Sequence, residues 1–560
     1  MIKSSGQWVI EVNPVALRRR FFQIIPATLS WGTLIGLSVL AFIIPFWIAI
    51  FIIIYDLYAL IRGVYMSVHL VYAYRRLGRE RSVNWIKRCQ GVSGDLTDYC
   101  QHLRARLTAA AGSLDEQAIL RQHLTEVENL RQRGEEPLNW EKIHHVVILP
   151  TYDESLAVLR TSLASLAAVD YPQERLHVVI GFEERVGKPA QEKSAALQRE
   201  FAAKFGTLLI TFHPDGLPGE ARVKSANATW ALKHMEVELQ RLGIPVAHIL
   251  VSNFDSDTVV NPSYFSLLTY TFITHPDRYR VSYQPLPMYN NNLWDAPAFS
   301  RVIATGSTFW QMIESTRPER LVTFSSHSMT LRALQEVGYW QKNIVSEDSR
   351  IFWQCLLHYH GHYRTEPLYT TVSMDAALAG NWWQTLKNQY KQKRRWAWGI
   401  ENFPYIAEGF LRQKQISFRT KFTYIFRTLE GHHSWATAPI IIAGLGWLPI
   451  FFGGPEFHAT VLSYSLPFVA RTIVSIAMVG LLISTTLSLL LLPPRPQAYS
   501  RWRYLGIMLQ WALVPLIAAV LSALPALDAE TRLFLGRDLE FNVMQKSRRP
   551  HIALAKSKNI

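Results

Sequence analysis

Residues 21–55 carry no charged side chain, and three later runs, 434–455, 472–494 and 504–527, are equally uncharged. A helix needs about 20 consecutive apolar residues to cross a bilayer. The first run, with the mostly apolar stretch to Tyr74, holds two such spans, near 27–45 and 46–68, with Pro45 at the junction. Each late run is long enough for one more. Nothing comparable lies between about 75 and 430, so the chain reads as two spans, a large water-facing block and about three further spans. A secretory leader would be shorter and end in small residues; a hairpin buried in a soluble core is the other alternative for the first run. Charged residues are only 18% of the chain and hydrophobic ones 49%, against about 25% charged in soluble domains. That balance excludes a disordered or coiled-coil protein. A mean hydropathy of +0.05 excludes a chain that is membrane throughout.

The net charge is +15, from 58 Lys and Arg against 43 Asp and Glu, which suits an anionic surface. Its distribution says which one. Arg18, Arg19 and Arg20 precede the first span, and Arg75, Arg76, Arg79, Arg81, Lys87 and Arg88 follow the second. Lys and Arg mark cytoplasmic flanks, so both ends of the first pair are cytoplasmic. Arg495, Arg501 and Arg503 place the last inter-span loop on the same side. The tail (Arg532, Arg537, Lys546, Arg548, Arg549) is basic too, although three late spans would put it outside. A re-entrant segment restores the parity, and 504–527, interrupted by Pro515 and Pro525, is the suspect. The basic run Lys387–Arg395 lies among Trp382, Trp383, Tyr390 and Trp398, which reads as an interfacial helix with snorkelling cations and not as a nucleic-acid site. Membrane lipids are thus expected partners and nucleic acid is not. Cys89, Cys100 and Cys355 lack metal-ligand spacing and read as reduced thiols.

Residues 95–133 read as an amphipathic helical pair. From 143 the pattern becomes strand, helix, strand: apolar strands at His145–Leu149, Leu176–Phe182, Thr207–Phe212 and His248–Asn253 alternate with helices at Ser155–Ala168, 191–204 and 223–242. This alternation implies a mostly parallel α/β sheet with helices on both faces, where ligands bind beyond the carboxyl ends of the strands. Three strands end in acids or polar groups: Thr151 with Asp153, Glu183 with Glu184, and Asp255 with Asp257. Acids gathered there suit a divalent cation or a cationic transition state. Two carboxylates one residue apart can reach one Mg²⁺ or Mn²⁺, which favour oxygen ligands and substrate phosphates. Phosphate-cradling glycine loops of the P-loop and dinucleotide types do not occur. Ser325-Ser326-His327-Ser328 lacks the G-x-S-x-G elbow of a hydrolase. His358, His360 and His362 alternate among aromatics and read as structural.

Taken in order, Pro150-Thr151-Tyr152-Asp153-Glu154, Glu183, Lys224 with Asn227, Asp255-x-Asp257, Glu347-Asp348 and Gln392-x-x-Arg395-Trp396 resemble the motifs of membrane-embedded family 2 glycosyltransferases, of the cellulose synthase and hyaluronan synthase type. Gln284-x-Pro with Tyr289-Asn290-Asn291-Asn292 resembles the segment following D-x-D in those enzymes. The resemblance covers roughly 143–400 by motif, and the flanking spans fit it. It implies a GT-A-like fold flanked by transmembrane and interfacial helices, and inverting transfer from a nucleotide sugar, a UDP-sugar first. Thr151, Asp153, Glu183, Lys224, Asn227, Asp255, Gln392 and Arg395 would bind the donor. Asp257 would hold Mg²⁺ or Mn²⁺. Asp348 would be the general base, with Glu347 and Trp396 on the acceptor side, a carbohydrate or a lipid-linked sugar. Two positions depart from the family: Asp153 stands for its usual Asn, and Phe182-Glu183 for an Asp pair. Glu183, one methylene longer, would reach a different atom of uracil or ribose, or read another base. The expected division is a transmembrane pair (1–75), a helical connector (76–140), a cytosolic catalytic domain (141–400), interfacial and transmembrane helices (401–530) and a basic tail (531–560). The resemblance of Gln392-x-x-Arg395-Trp396, together with the late spans, implies a bacterial inner-membrane enzyme making and exporting a polysaccharide processively. Single transfer to a lipid carrier, and a non-catalytic receptor or transporter that keeps the fold, are the alternatives.

Overall fold

The computed structural model describes residues 2–4, 7–9, 14–109, 114–134 and 138–539. Lys546, Arg548 and Arg549 of the tail lie outside them. The chain forms two compact units. One comprises Met66–Gly380 with Leu490–Arg503; the other comprises Met1–Tyr65, Asn381–Leu489 and Tyr504–Asn542. The boundary at Gly380–Asn381 precedes the Gln392–Trp396 motif, whereas the sequence suggested a boundary near 400.

The first unit is built on an eight-stranded sheet. Its strands are β1 (His144–Pro150), β2 (Leu176–Glu183), β3 (Thr207–His213), β4 (Ile249–Asn253), β5 (Val259–Val260), β6 (Val281–Met288), β7 (Ser328–Thr330) and β8 (Arg364–Ser373). Their spatial order is β3-β2-β1-β4-β7-β6-β8-β5. The first four run parallel, with Val147 opposite Val178 and Ser252. β1, β2 and β4 are buried almost throughout, as expected of strands covered on both faces. Crossover helices Leu156–Ala167, Lys188–Phe201 and Lys224–Arg241 join or follow them. Ser155 caps the first, its hydroxyl accepting the Val158 N–H, one of the donors a helix start leaves over. This is the α/β arrangement the alternating pattern implied, with strand limits within a residue or two.

The other half of the sheet is mixed. β7 runs antiparallel to both β4 and β6, β5 antiparallel to β8, and β6 parallel to β8. β6 contains Pro285 and Pro287 and is nonetheless fully buried. The helical pair is present as Leu96–Ala109 and Leu114–Gln132, burying Leu103, Leu124 and Leu130 in the core that also holds β1 and β2. All three cysteines are free and buried.

Among the described residues, four helices are long and apolar enough to cross a membrane: Ala16–Ile43, Pro45–Arg81, Val461–Leu490 and Arg503–Leu535. Their outer faces are apolar and exposed, with Trp47, Ile54 and Leu482 all above 60%, as lipid contact requires. Phe418–Ala443 and Leu445–Phe452 make a fifth candidate, bent by 46° where Gly444 ends the longer helix. A sharp bend therefore falls in the 434–455 run, whereas re-entry is expected of 504–527 from its prolines. That run carries a 3-10 turn at Gln510–Leu513 and a π turn at Ala519–Ala523, which interrupt its α-helix.

Candidate active site

The site collects at the carboxyl ends of β1, β2 and β4. Immediately after β1, Thr151 donates its hydroxyl to Glu154 Oε2 at 2.7 Å, and the Tyr152 N–H donates to the same oxygen at 2.8 Å. Glu154 thereby folds the Pro150–Glu154 turn on itself. Lys193 reaches across from its helix to Asp153 Oδ1 at 3.2 Å and the Glu154 carbonyl at 2.9 Å.

Glu183 closes β2 and is buried. Asn227 Nδ2 donates to Glu183 Oε1 at 3.1 Å and to the Gly181 carbonyl at 2.9 Å. A side chain at 181 would displace the Asn227 amide, because its Cβ would lie 2.1 Å from Asn227 Oδ1. On the other side of the carboxylate stand Arg185 Nε at 3.2 Å and His213 Nδ1 at 3.6 Å. His213 Nε2 pairs with Glu220 at 2.8 Å, which Lys342 also contacts at 2.6 Å. Burial works against a charge on His213, but its bonds to Glu183 and Glu220 prevail and raise its pKa above the ordinary histidine value. The Arg185 guanidinium also lies 4.8 Å over the Tyr152 ring, a cation–π contact.

Lys224, at the start of its helix, stands between the two carboxylates that carry most of the expected chemistry. Its ammonium is 2.7 Å from Asp255 Oδ1 and 3.7 Å from Asp348 Oδ1. Burial opposes this charge, yet Asp255, Asp348 and the buried Glu347 outweigh it and hold the pKa well above the usual lysine range. Asp348 occupies the first turn of Glu347–His358, where the helix dipole favours a carboxylate. Asp257 is fully buried; its Oδ2 accepts the Asp375 N–H at 2.8 Å, and its carbonyl accepts Asn291 Nδ2 at 3.1 Å. The Asn291 and Asn292 amides tie this segment to Ser373 and Ala376.

The sheet unit thus brings Thr151, Asp153, Glu183, Lys224, Asn227, Asp255, Asp257, Glu347 and Asp348 to one end of the sheet. Gln392, Arg395 and Trp396 belong to the other unit. There they lie on Trp382–Ala397, started by Asn381, whose side chain accepts the Gln384 N–H. Gln392 is buried and accepts from Gln389 at 3.1 Å. Arg394 pairs with Asp528 at 2.8 Å, and the Lys393 ammonium is 4.7 Å over the Trp396 ring. Arg185, His213, Glu220, Lys342 and Asp375 were not anticipated. Only Arg185, two residues beyond a strand-end acid, carried a local signal.

No three His, Cys, Asp or Glu side chains converge as a cation cage among the described residues. Asp255 directs one oxygen at Lys224 and the other at Ser325, whose hydroxyl is 2.6 Å away. It is therefore poorly placed as a metal ligand. Asp257, fixed by a backbone donor, fits a cation completed by substrate phosphates.

Residues 250–526 match the model of the family described as Glycosyl transferase family group 2. The chain is 24% identical over 352 residues to the cellulose synthase catalytic subunit [UDP-forming] of Pseudomonas fluorescens (strain SBW25); the match covers 59% of this chain and 41% of that protein's length. Among solved structures, mannosyltransferase PcManGT from Pyrobaculum calidifontis, in complex with GDP-Man and Mn²⁺, is similar at a TM-score of 0.35 and 14% identity, over 75% of this chain and 99% of that one. S. aureus TarS 1–349 in complex with UDP is similar at 0.31 and 14%, over 61% and 90%. The order of motifs, the acids at the carboxyl ends of the sheet and the family match together place a family group 2 glycosyltransferase domain in this chain.

Proposed function

We propose that this protein transfers a sugar, with inversion, from a nucleotide sugar to a carbohydrate acceptor, and that it does so processively, exporting the product through its membrane helices. The observation that carries the reading is the Lys224 ammonium held between Asp255 and Asp348. It sets two partly exposed carboxylates beside one fixed positive charge. Thr151, Asp153 and Glu183 line the nucleotide side. Asp348 takes the proton from the acceptor hydroxyl as that oxygen attacks the anomeric carbon. Asp257, assisted by Asn291 and the Asp375 N–H, would hold Mg²⁺ or Mn²⁺, whose charge stabilises the departing diphosphate. Gln392, Arg395 and Trp396 are assigned to the donor, the leaving group and the acceptor by resemblance. The matched relative is UDP-forming, and a UDP-sugar is the donor proposed here. Purified protein in lipid, supplied with nucleotide sugars and Mg²⁺ or Mn²⁺, should yield long saccharides by mass. Products one sugar longer than the acceptor would overturn processivity, and no transfer from any donor would overturn the reading.

We further propose four membrane crossings, with the catalytic unit, the Arg18–Arg20 flank and Asp538 in the cytoplasm. Leu490–Arg503 packs on the catalytic unit: Trp294 Nε1 donates to the Pro493 carbonyl at 3.0 Å, and Arg503 donates to the Trp294 carbonyl at 2.6 Å. The far end of Arg503–Leu535 meets Arg20, in the basic run before the first span, which donates to the Leu533 carbonyl at 2.9 Å. Both ends of that segment are thus tied to Arg-rich flanks of one sign, so in this topology it returns to the side it starts from and is not one of the four crossings. The bent 418–452 segment and Val461–Leu490 then form one crossing and its return. A cysteine at Glu456 should react with an impermeant maleimide from outside, and one at Asp538 should not; the reverse pattern would refute this topology.

A further inference from the structure

The loop Phe324–Ser328, just before and into β7, is tied down at every residue. The Phe324 N–H donates to Gln284 Oε1 at 2.7 Å, and Gln284 Nε2 donates to the Ser325 carbonyl at 3.2 Å. Ser326 is fully buried with a φ of +66°, a left-handed conformation that a non-glycine residue holds only when its surroundings impose it. Its hydroxyl is 3.2 Å from that of Thr258, the residue after Asp257. The His327 carbonyl accepts the Asn253 N–H at 3.1 Å. The His327 ring is fully buried; its Nδ1 bonds the Phe324 carbonyl at 3.0 Å and lies 4.0 Å from Asp348 Oδ1. Ser328 is anchored by Ser252 at 2.6 Å and Tyr264 at 2.8 Å. The one hydroxyl of this loop aimed at a charge is Ser325 Oγ, on Asp255 Oδ2.

Lys224 is contested by two carboxylates, and the distances differ by a full ångström, 2.7 against 3.7 Å. An ion pair strengthens steeply as the charges close, above all when desolvated. Whichever carboxylate wins becomes the weaker base. By occupying Oδ2, Ser325 fixes the Asp255 rotamer so that Oδ1 faces Lys224.

We propose that Ser325 is a positioning residue for the transfer reaction: it locks Asp255 onto Lys224, and so leaves Asp348 outside a contact ion pair and able to accept the acceptor proton. The inference rests on the assignment of Asp348 as base. Without the Ser325 hydroxyl, Asp255 rotates, Lys224 closes on Asp348, and the base becomes more acidic.

The test is the pH dependence of turnover by the full-length protein in lipid vesicles, for wild type, Ser325→Ala, Ser325→Thr and Asp348→Asn. A hydrogen bond to a charged group corresponds to roughly a tenfold to hundredfold effect. Ser325→Ala should lower kcat by about that much and shift the acid limb of the kcat profile to lower pH. Ser325→Thr, which keeps the hydroxyl, should restore both the rate and the limb. Ser325→Cys, a weaker donor, should fall between and stands in if the threonine methyl is not tolerated beside Met374. An unshifted acid limb in a folded Ser325→Ala protein, with Asp348→Asn inactive, would refute the positioning role alone. An active Asp348→Asn would instead remove the base assignment, and the inference with it.

Discussion

The two halves of the catalytic sheet contribute different things to the same site. The parallel half, β1 to β4, ends in charge: Glu183 is the last residue of β2, and Asp153, Asp255 and Asp257 follow β1 and β4. The mixed half, β6 to β8, contributes mostly neutral hydrogen-bonding groups. Gln284, Ser325, Ser326, Asn291 and Asn292 hold the carboxylate-bearing segments or one another. A carboxylate at a strand end has two free torsions and is costly to bury without partners. One half of the sheet therefore supplies the chemistry, and the other removes the rotational freedom that would blur it. Preorganised dipoles of this kind lower a barrier because they need not reorient during reaction.

If charge and orientation are divided in this way, the largest losses should come from the parallel half and from the helix that carries Asp348. Asp348→Asn should reduce turnover by about 10² to 10⁴-fold, the usual contribution of a general base, with donor binding retained in a titration of nucleotide sugar. Asp257→Ala should abolish the response of donor affinity to added Mg²⁺ or Mn²⁺, and chelation should reproduce that loss in the wild type. Next in size is Lys224→Met. It leaves Asp255 and Asp348 without the charge between them; breaking a fully buried pair costs about 3–5 kcal/mol, and less is expected where the carboxylates are about a quarter exposed. Both the melting temperature and turnover should fall. A Lys224→Met protein as stable and active as wild type would show that the two carboxylates act independently.

A smaller effect is expected from the mixed half. Gln284→Leu keeps the volume but leaves the Phe324 N–H and the Ser325 carbonyl without their side-chain partner, at a cost of about 1–3 kcal/mol. Its kinetic signature should resemble that of Ser325→Ala in direction, since both loosen the same loop. Stability lost without any change in the pH profile would assign Gln284 to folding alone.

How much of this was readable beforehand follows the same division. The four parallel strands were legible because strands buried on both faces are continuous apolar runs with turn residues at their ends, and Asp255-x-Asp257 and Glu347-Asp348 stood out as charges where charges are scarce. β6 was hidden by Pro285 and Pro287, and β7, three residues long, has no period to detect. The partners of Glu183 were hidden for another reason: His213 and Asn227 reach it from a neighbouring strand and a crossover helix, at separations of 30 and 44 residues. The spans were legible from length alone, but the bend at Gly444 was not, because Pro515 and Pro525 in the later run are the louder breakers and yet sit near the starts of short helical segments, where proline is tolerated.

Whether the two halves also unfold together can be asked through their histidines. Burial depresses His177, on β2, to about 4, aided by neighbouring His144; burial also depresses His275, which precedes β6, to about 4, aided by Arg364. Both are neutral in the folded protein at pH 7. In the unfolded chain each titrates near the ordinary histidine value of about 6.5. A depressed folded pKa contributes stability that is fully present above the unfolded value and is lost as pH falls from there towards the folded one. The melting temperature should therefore drop between about pH 6.5 and pH 4. His177→Gln and His275→Gln should each flatten that slope by one proton's worth. If the two flatten a single transition equally, the parallel and mixed halves form one cooperative unit. If His275→Gln changes only an early, separate transition, the orienting half opens first, and activity should be lost at milder acidity than the global fold.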